Sequence, residues 1–236
     1  MLTEKNTTIT FCQKKFNMEY EQSKLNRVKR GANRATYDVE KINTILDAGF
    51  LCYVSYIYDG NPITIPMAYT RRDDKIFIHG STGNRMLLSI LESGKTSITV
   101  MHLDGLVLAR SGLHHSVNYR SVTLFGSLRK VEKDAKKTEI LKWIVDQMIP
   151  NQWDAIRPMH QKELDRTLVI EFTIDTASAK IRDTGVIDEP EDYNLPIWAG
   201  VVPIKQVAEF PVSDDKLKEG VEIPKHVLDY YQQNKQ

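Results

Sequence analysis

The chain has 236 residues, with 32 lysines and arginines against 31 aspartates and glutamates, a formal net charge of +1. That length can bury a substantial single-domain core, and the near-neutral balance argues against nucleic acid as a partner, which would need an extended basic surface. No apolar run approaches membrane-spanning length, the N-terminus lacks the basic-then-apolar plan of a secretory signal, and Cys12 and Cys52 make no disulfide framework. A cytoplasmic, reducing setting without a membrane partner is the expectation.

Residues 1–35 are polar and aperiodic and read as an N-terminal arm, its basic cluster Lys24–Arg34 a solvated flank. Residues 36–224 read as one domain and 225–236 as a C-terminal tail. Asp38 is placed to cap a short helix whose apolar face is Val39, Ile42, Ile45 and Leu46, with Gly49 ending it. Phe50–Ile57 and Ile63–Tyr69 flank Asp59-Gly60 as a hairpin, and a second hairpin through Arg71–Asp74 leads into Lys75–His79. A turn-rich loop and an amphipathic helix follow, to a break at Ser93-Gly94.

Thr96–Leu103 and Leu106–Ser111 read as strands across an Asp104-Gly105 turn. Tyr119–Val131 is the longest β run, with Gly126 a bulge or a close backbone approach. Ala135–Ile149 is an amphipathic helix with Ile140, Leu141, Ile144, Val145 and Met148 on its stripe. Thr167–Ile174 is another strand, extended by Ser178–Arg182, and the tail beyond Asp188 has short apolar runs among prolines. Six or more mostly antiparallel strands with inserted helices predict a mainly β protein, a small closed or split β-barrel.

Candidate chemistry concentrates in Ile76–Met86. Strand, loop and helix meet there with hydroxyls, free backbone N–H groups and the guanidinium of Arg85, an arrangement that favours a phosphate. A solvated arginine beside an ordinary capped helix is the blander alternative. Pro66 cannot donate to a sheet ladder, so its strand is an edge or faces something other than a strand, such as a flat ring against Pro66–Ala68. Asn118, Tyr119, Arg120 and Ser121 suit the polar edge of a heterocycle or a subunit interface. His114 and His115 point to opposite faces of an extended chain and do not suggest a metal site, while His79 and His102 read as satisfied strand histidines. No nucleophile constellation, Walker motif or dinucleotide fingerprint is present, so no catalytic residue is assigned. Trp198 is expected to dock on the protein's own core.

The succession of a mid-strand proline, His79-Gly-Ser-x-x-x-Arg85, Asp104-Gly-Leu-Val-Leu-Ala-Arg-Ser111, His114-His-Ser-x-Asn-Tyr-Arg-Ser-Val122, Ser178-Ala-Lys-Ile-Arg182 and Pro196-x-Trp-Ala-Gly-Val-x-Pro203 resembles the FMN-binding split-barrel proteins related to pyridoxamine 5′-phosphate oxidase. The similarity is to the flavin-nucleotide-binding branch that includes 5-nitroimidazole-resistance-like proteins, and it spans roughly residues 27–224.

It implies a six-stranded split β-barrel of Greek-key-like order that forms a homodimer, with FMN in clefts between subunits. Ser81 and Arg85 would take the phosphate, with Gly80 giving backbone access and His79 beside it. Ile65, Pro66, Met67 and Ala68 would lie along the isoalloxazine, Asn118, Tyr119, Arg120 and Ser121 near the flavin at the interface, and Trp198 against the partner's flavin. Lys180 and Arg182 fall in the motif without an assigned role. The implied function is a flavin-dependent oxidoreductase of a small molecule, nitroimidazole-reductase-like by analogy. A non-enzymatic flavin or haem protein for storage or sensing, with His79, His102, His114 or His115 as axial ligand, is the alternative. The basic segments with which the oxidase grips pyridoxal phosphate are replaced by Thr64-Ile-Pro-Met-Ala-Tyr69 and Ala199-Gly-Val-Val-Pro203, so pyridoxamine phosphate oxidation itself is not expected.

Overall fold

The structure, a computed structural model, describes residues 18–235; Cys12 and the first 17 residues of the expected arm lie outside them. The strands are β1 (Ala35–Thr36), β2 (Leu51–Tyr58), β3 (Asn61–Arg72), β4 (Lys75–Ser81), β5 (Ser97–Leu108), β6 (Ser116–Lys130), β7 (Thr167–Arg182) and β8 (Gly200–Pro203). The helices are α1 (Val39–Asp47), α2 (Arg85–Ser93), α3 (Asp134–Met148), α4 (Gln161–Asp165) and α5 (Lys225–Asn234).

Six strands close a ring in the order β7-β4-β3-β2-β5-β6, and β6 returns to β7. Every pairing is antiparallel, with β1 added to β7 and β8 to β5. The barrel interior holds the main core, including Cys52, Val54, Ile76, Ile78, Ile98, Val100, Val122 and Phe172. A second cluster lies outside the ring, where Phe77 and Val169 meet Ile140, Leu141 and Ile144 of α3. Alternation along β4 explains both layers: Ile76 and Ile78 point inward, Phe77 and His79 outward beneath α3.

Local chemistry sets the corners. Asp59 and Gly60 both have positive φ, the two-residue turn that Asp-Gly favours, so β2 and β3 run right up to it. Asp38 accepts the Lys41 N–H at 2.8 Å to cap α1. Gly94, at φ 64°, ends α2 by donating to the Ile90 carbonyl.

Several expectations are corrected. Asp104-Gly105 is a bulge within one continuous β5, because Asp104 is held across the ladder by Arg120 at 2.7 Å and Gly105 gives room to β8. A Cβ at Gly105 would meet the Val202 carbonyl at 3.2 Å. Gly49 follows the Ala48 cap of α1 without taking the left-handed conformation of a helix-ending glycine; it leaves space for the His102 ring, which a Cβ would meet at 2.9 Å. Met148, expected on the apolar stripe of α3, is exposed at its end, whereas the expected extension of Thr167–Ile174 by Ser178–Arg182 is seen as one strand. The tail contains α5, whose His226 bonds Gln152 at 2.8 Å, an element with no strong apolar period to announce it.

Candidate functional site

The pairing of β3 with β4 covers only Tyr69–Arg72 against Lys75–Ile78. Before Tyr69, β3 pairs with β2 alone, and beyond Ile78, β4 pairs with β7 alone. The barrel is therefore split between Asn61–Ala68 and His79–Ser81. Pro66 lies in this one-sided stretch, where its missing N–H disrupts no second ladder. Its ring is exposed, whereas Ile65 and Met67 turn inward onto the core and Ala68 onto the second cluster. What Ile65 and Met67 bring to the split is backbone.

The β4–α2 turn lies across this opening. Thr82 N–H is taken by the Arg166 carbonyl, Gly83 N–H by Ser81 Oγ at 3.2 Å, Asn84 N–H by the Ser81 carbonyl, and Leu87 N–H by Asn84 Oδ1 at 3.1 Å. The first-turn donors left over are the Arg85 and Met86 N–H groups at the positive end of the helix dipole. A Cβ at Gly80 would meet Leu87 at 3.0 Å, so this glycine lets α2 close onto β4. Arg85 is exposed and has no carboxylate partner among the described residues. Its guanidinium carbon lies 4.2 Å from the Tyr58 ring centroid, and its Nη2 is 3.3 Å from the Tyr56 hydroxyl. That hydrogen bond is the largest cause raising the Arg85 pKa, so the cation is permanent. A hydroxyl, two N–H groups and an unneutralised guanidinium make this turn an anion site.

Asn118, Tyr119, Arg120 and Ser121 are elsewhere in the same chain, on β6, separated from β3 by β2 and β5 and from β4 by β7. Asn118 is buried and accepts from Arg182, Arg120 is paired with Asp104, and Ser121 Oγ bonds the Lys180 carbonyl at 3.4 Å. Arg182 also donates to the Thr184 and Gly185 carbonyls, which makes it a buried tie for the turn after β7. Trp198 does not dock on the core: it is 68% exposed, its ring edge against Gly200 just before β8. One chain thus joins Gly80, Ser81 and Arg85 in the β4–α2 turn and leaves Pro66 on the one-sided stretch of β3, while the β6 set and Trp198 lie on other elements.

The histidines separate clearly. His102 Nε2 is 3.0 Å from the Ile45 carbonyl and His115 Nδ1 is 2.9 Å from the Ser111 carbonyl, while His114 Nε2 lies 3.4 Å from Glu189 without forming a hydrogen bond. His79 Nδ1 is buried without a partner, and burial pushes the imidazole's pKa down, toward the neutral form. It faces a cavity of about 530 Å³ bounded by α3 and the 153–163 segment, which sequence reasoning did not find. No cluster of three metal-ligating side chains exists among the described residues. Cys52 sits in the barrel core, its thiol pushed up to about 12 by burial, and no helix among the described residues is long and apolar enough to cross a membrane.

Residues 38–181, more than half of the chain, match the family model described as pyridoxamine 5′-phosphate oxidase. The chain belongs to the pyridoxamine 5′-phosphate oxidase family. Among solved structures of similar fold is the flavocytochrome Anf3 from Azotobacter vinelandii, with 38% identity over 88% of this chain and 97% of that one and a TM-score of 0.84. The FAD and heme binding protein from Mycobacterium smegmatis is 32% identical over 84% and 97% of the two chains, with a TM-score of 0.79. A proposed 5-nitroimidazole antibiotic resistance protein from Bacteroides thetaiotaomicron shares the fold alone, at 18% identity over 62% and 86% of the two chains and a TM-score of 0.54. No curated protein matches. This membership agrees with the split barrel seen here, a fold that hosts more than one chemistry.

Proposed function

We propose that this family member is a homodimeric redox protein that binds a flavin nucleotide at the split and also carries haem. The observation that carries the flavin reading is the Ser81–Arg85 turn, an anion site opening beside the one-sided stretch of β3. Arg85 and the free Arg85 and Met86 N–H groups hold the ribityl phosphate, which FMN and FAD share. The isoalloxazine lies along the free edge of β3 at Pro66–Ala68, where backbone groups have no neighbouring strand. Haem enters through the two relatives above 30% identity, described as a flavocytochrome and as an FAD and heme binding protein. When bound, the flavin supplies hydride and single-electron chemistry and the haem single-electron chemistry. The chain's own part is to bind, orient and shield them; no side chain is needed as an acid or base.

Leu51, Tyr53, Met101 and Leu103 support the homodimer. They lie on the outer face of adjacent strands β2 and β5, and each is 38–49% exposed. A contiguous apolar patch of this kind marks a protein–protein contact. Pairing two copies there would bring the β6 set and Trp198 of one chain toward the split of the other. The test is a thermal-shift and absorption titration of the purified protein with FMN, FAD, hemin and pyridoxal phosphate. Uptake of flavin and hemin with raised melting temperatures supports the reading, since a ligand that binds only the folded state stabilises it. Stabilisation by pyridoxal phosphate alone would contradict it.

A further inference from the structure

The cavity beneath α3 is separate from the Ser81–Arg85 turn: neither Arg85 nor any residue of β3 lines it. Its walls are Leu141 and Val145 of α3 with Trp153, Ile156 and Met159 of the following segment, and its volume, about 530 Å³, is that of a cofactor pocket. Into this apolar space β4 turns the imidazole of His79, held in place by the pairing of His79 with Val169. Its Nδ1 is buried and unpaired. A ring nitrogen enclosed without a partner is costly, and the part of the imidazole that meets the cavity is what a bound group would touch.

The partner's chemistry follows from what else is present. Glu163 also lines this cavity, but no group of three metal-ligating side chains exists among the described residues, so a bare ion would lack a full ligand set. A metal that fits must bring its own remaining ligands inside a large apolar body. Arg157 stands at the same cavity, 60% exposed and in a two-point ion pair with Glu163, for whose place acidic substituents on that body would compete. An iron tetrapyrrole meets all three conditions. We infer that haem binds in the cavity between α3 and β4, with His79 as its axial ligand. The inference rests on the haem-carrying reading above and gives it a place in the fold. The haem pocket and the flavin turn then share β4, since His79 and Ser81 are two residues apart on one strand face.

The experiment is an equilibrium titration of the full chain with hemin, followed by the Soret and visible bands, for wild type, His79→Ala, His79→Gly with and without imidazole, and Val145→Trp. Melting temperatures report that each variant is folded. Wild type is expected to saturate at one haem per chain. His79→Ala should weaken binding by at least the roughly 10- to 100-fold that loss of even an outer-shell partner costs a metal site. Imidazole should restore the wild-type spectrum to His79→Gly, and the bulkier Val145→Trp should block uptake. If wild type binds hemin and His79→Ala binds it with the same affinity and spectrum, the assignment to His79 is overturned while the haem reading stands. If wild type takes up no hemin, both fall.

Discussion

Arg85 stacks on Tyr58, its guanidinium carbon 4.2 Å from the ring centroid, in a position where no carboxylate among the described residues neutralises it. An exposed arginine oriented by an aromatic face and by the Tyr56 hydroxyl is a pre-set partner for an anion. Replacing Arg85 with alanine should weaken flavin-nucleotide binding about 10- to 100-fold through loss of a charge-assisted bond, read by flavin fluorescence quenching. Lysine should restore only part of that, since it lacks the planar fork.

Gly126 tests the barrel's closure. A Cβ there would stand 1.9 Å from the Thr173 carbonyl, where β6 and β7 slip register. Because the obstacle is backbone, neither strand can yield cheaply. Gly126→Ala should destabilise by roughly 3 kcal/mol or more, a fall of at least about 6 °C in melting temperature for a chain of this size. An unchanged melting temperature would mean the register there is not as described.

The outer apolar face offers a separate test. Met101→Glu places a charge at the centre of the Leu51–Leu103 patch and should shift the protein from dimer to monomer in sedimentation analysis. If dimerisation uses this face to complete the cleft, flavin affinity should drop as well. A variant that stays dimeric would move the interface elsewhere.

Acid should act through Glu163. The Arg157 guanidinium and the His160 N–H hold its carboxyl down at about 2, below the ordinary value of 4.5. A depressed carboxylate contributes stability that is present above the ordinary value and is lost as pH falls toward the folded value. The melting-temperature gap between wild type and Glu163→Gln should therefore be fully open above about pH 5 and close as pH approaches 2.

Cys52 should be inert. It is fully buried with its thiol raised to about 12, so a Cys12→Ser protein should react with a thiol reagent at neutral pH only after denaturant is added.

Much of the barrel was legible because its signals are local. The Asp59-Gly60 turn, the Asp38 cap and the alternation of β2 each follow from a few adjacent residues. The Gly80–Arg85 turn was readable for the same reason. Asp104-Gly105 misled because a bulge and a turn share the dipeptide, and only the distant Arg120 and Val202 decide between them. The support of Arg85 by Tyr56 lies 29 residues away and has no local signature. The His79 cavity was hidden because its far wall, Trp153–Met159, is an irregular segment placed by tertiary packing alone. Trp198 was expected to be buried because a large aromatic usually is; here the chain leaves it exposed.

The most direct test of the flavin site is a comparison of FMN and riboflavin, which differ by the phosphate that Arg85 and the α2 N-terminus are placed to hold. Titration of the wild-type protein, followed by quenching of flavin fluorescence, should give one FMN per chain and an affinity for riboflavin weaker by about 100-fold, the order expected for loss of charge-assisted bonds. Equal affinity for the two, or no saturable uptake of either, would contradict the account.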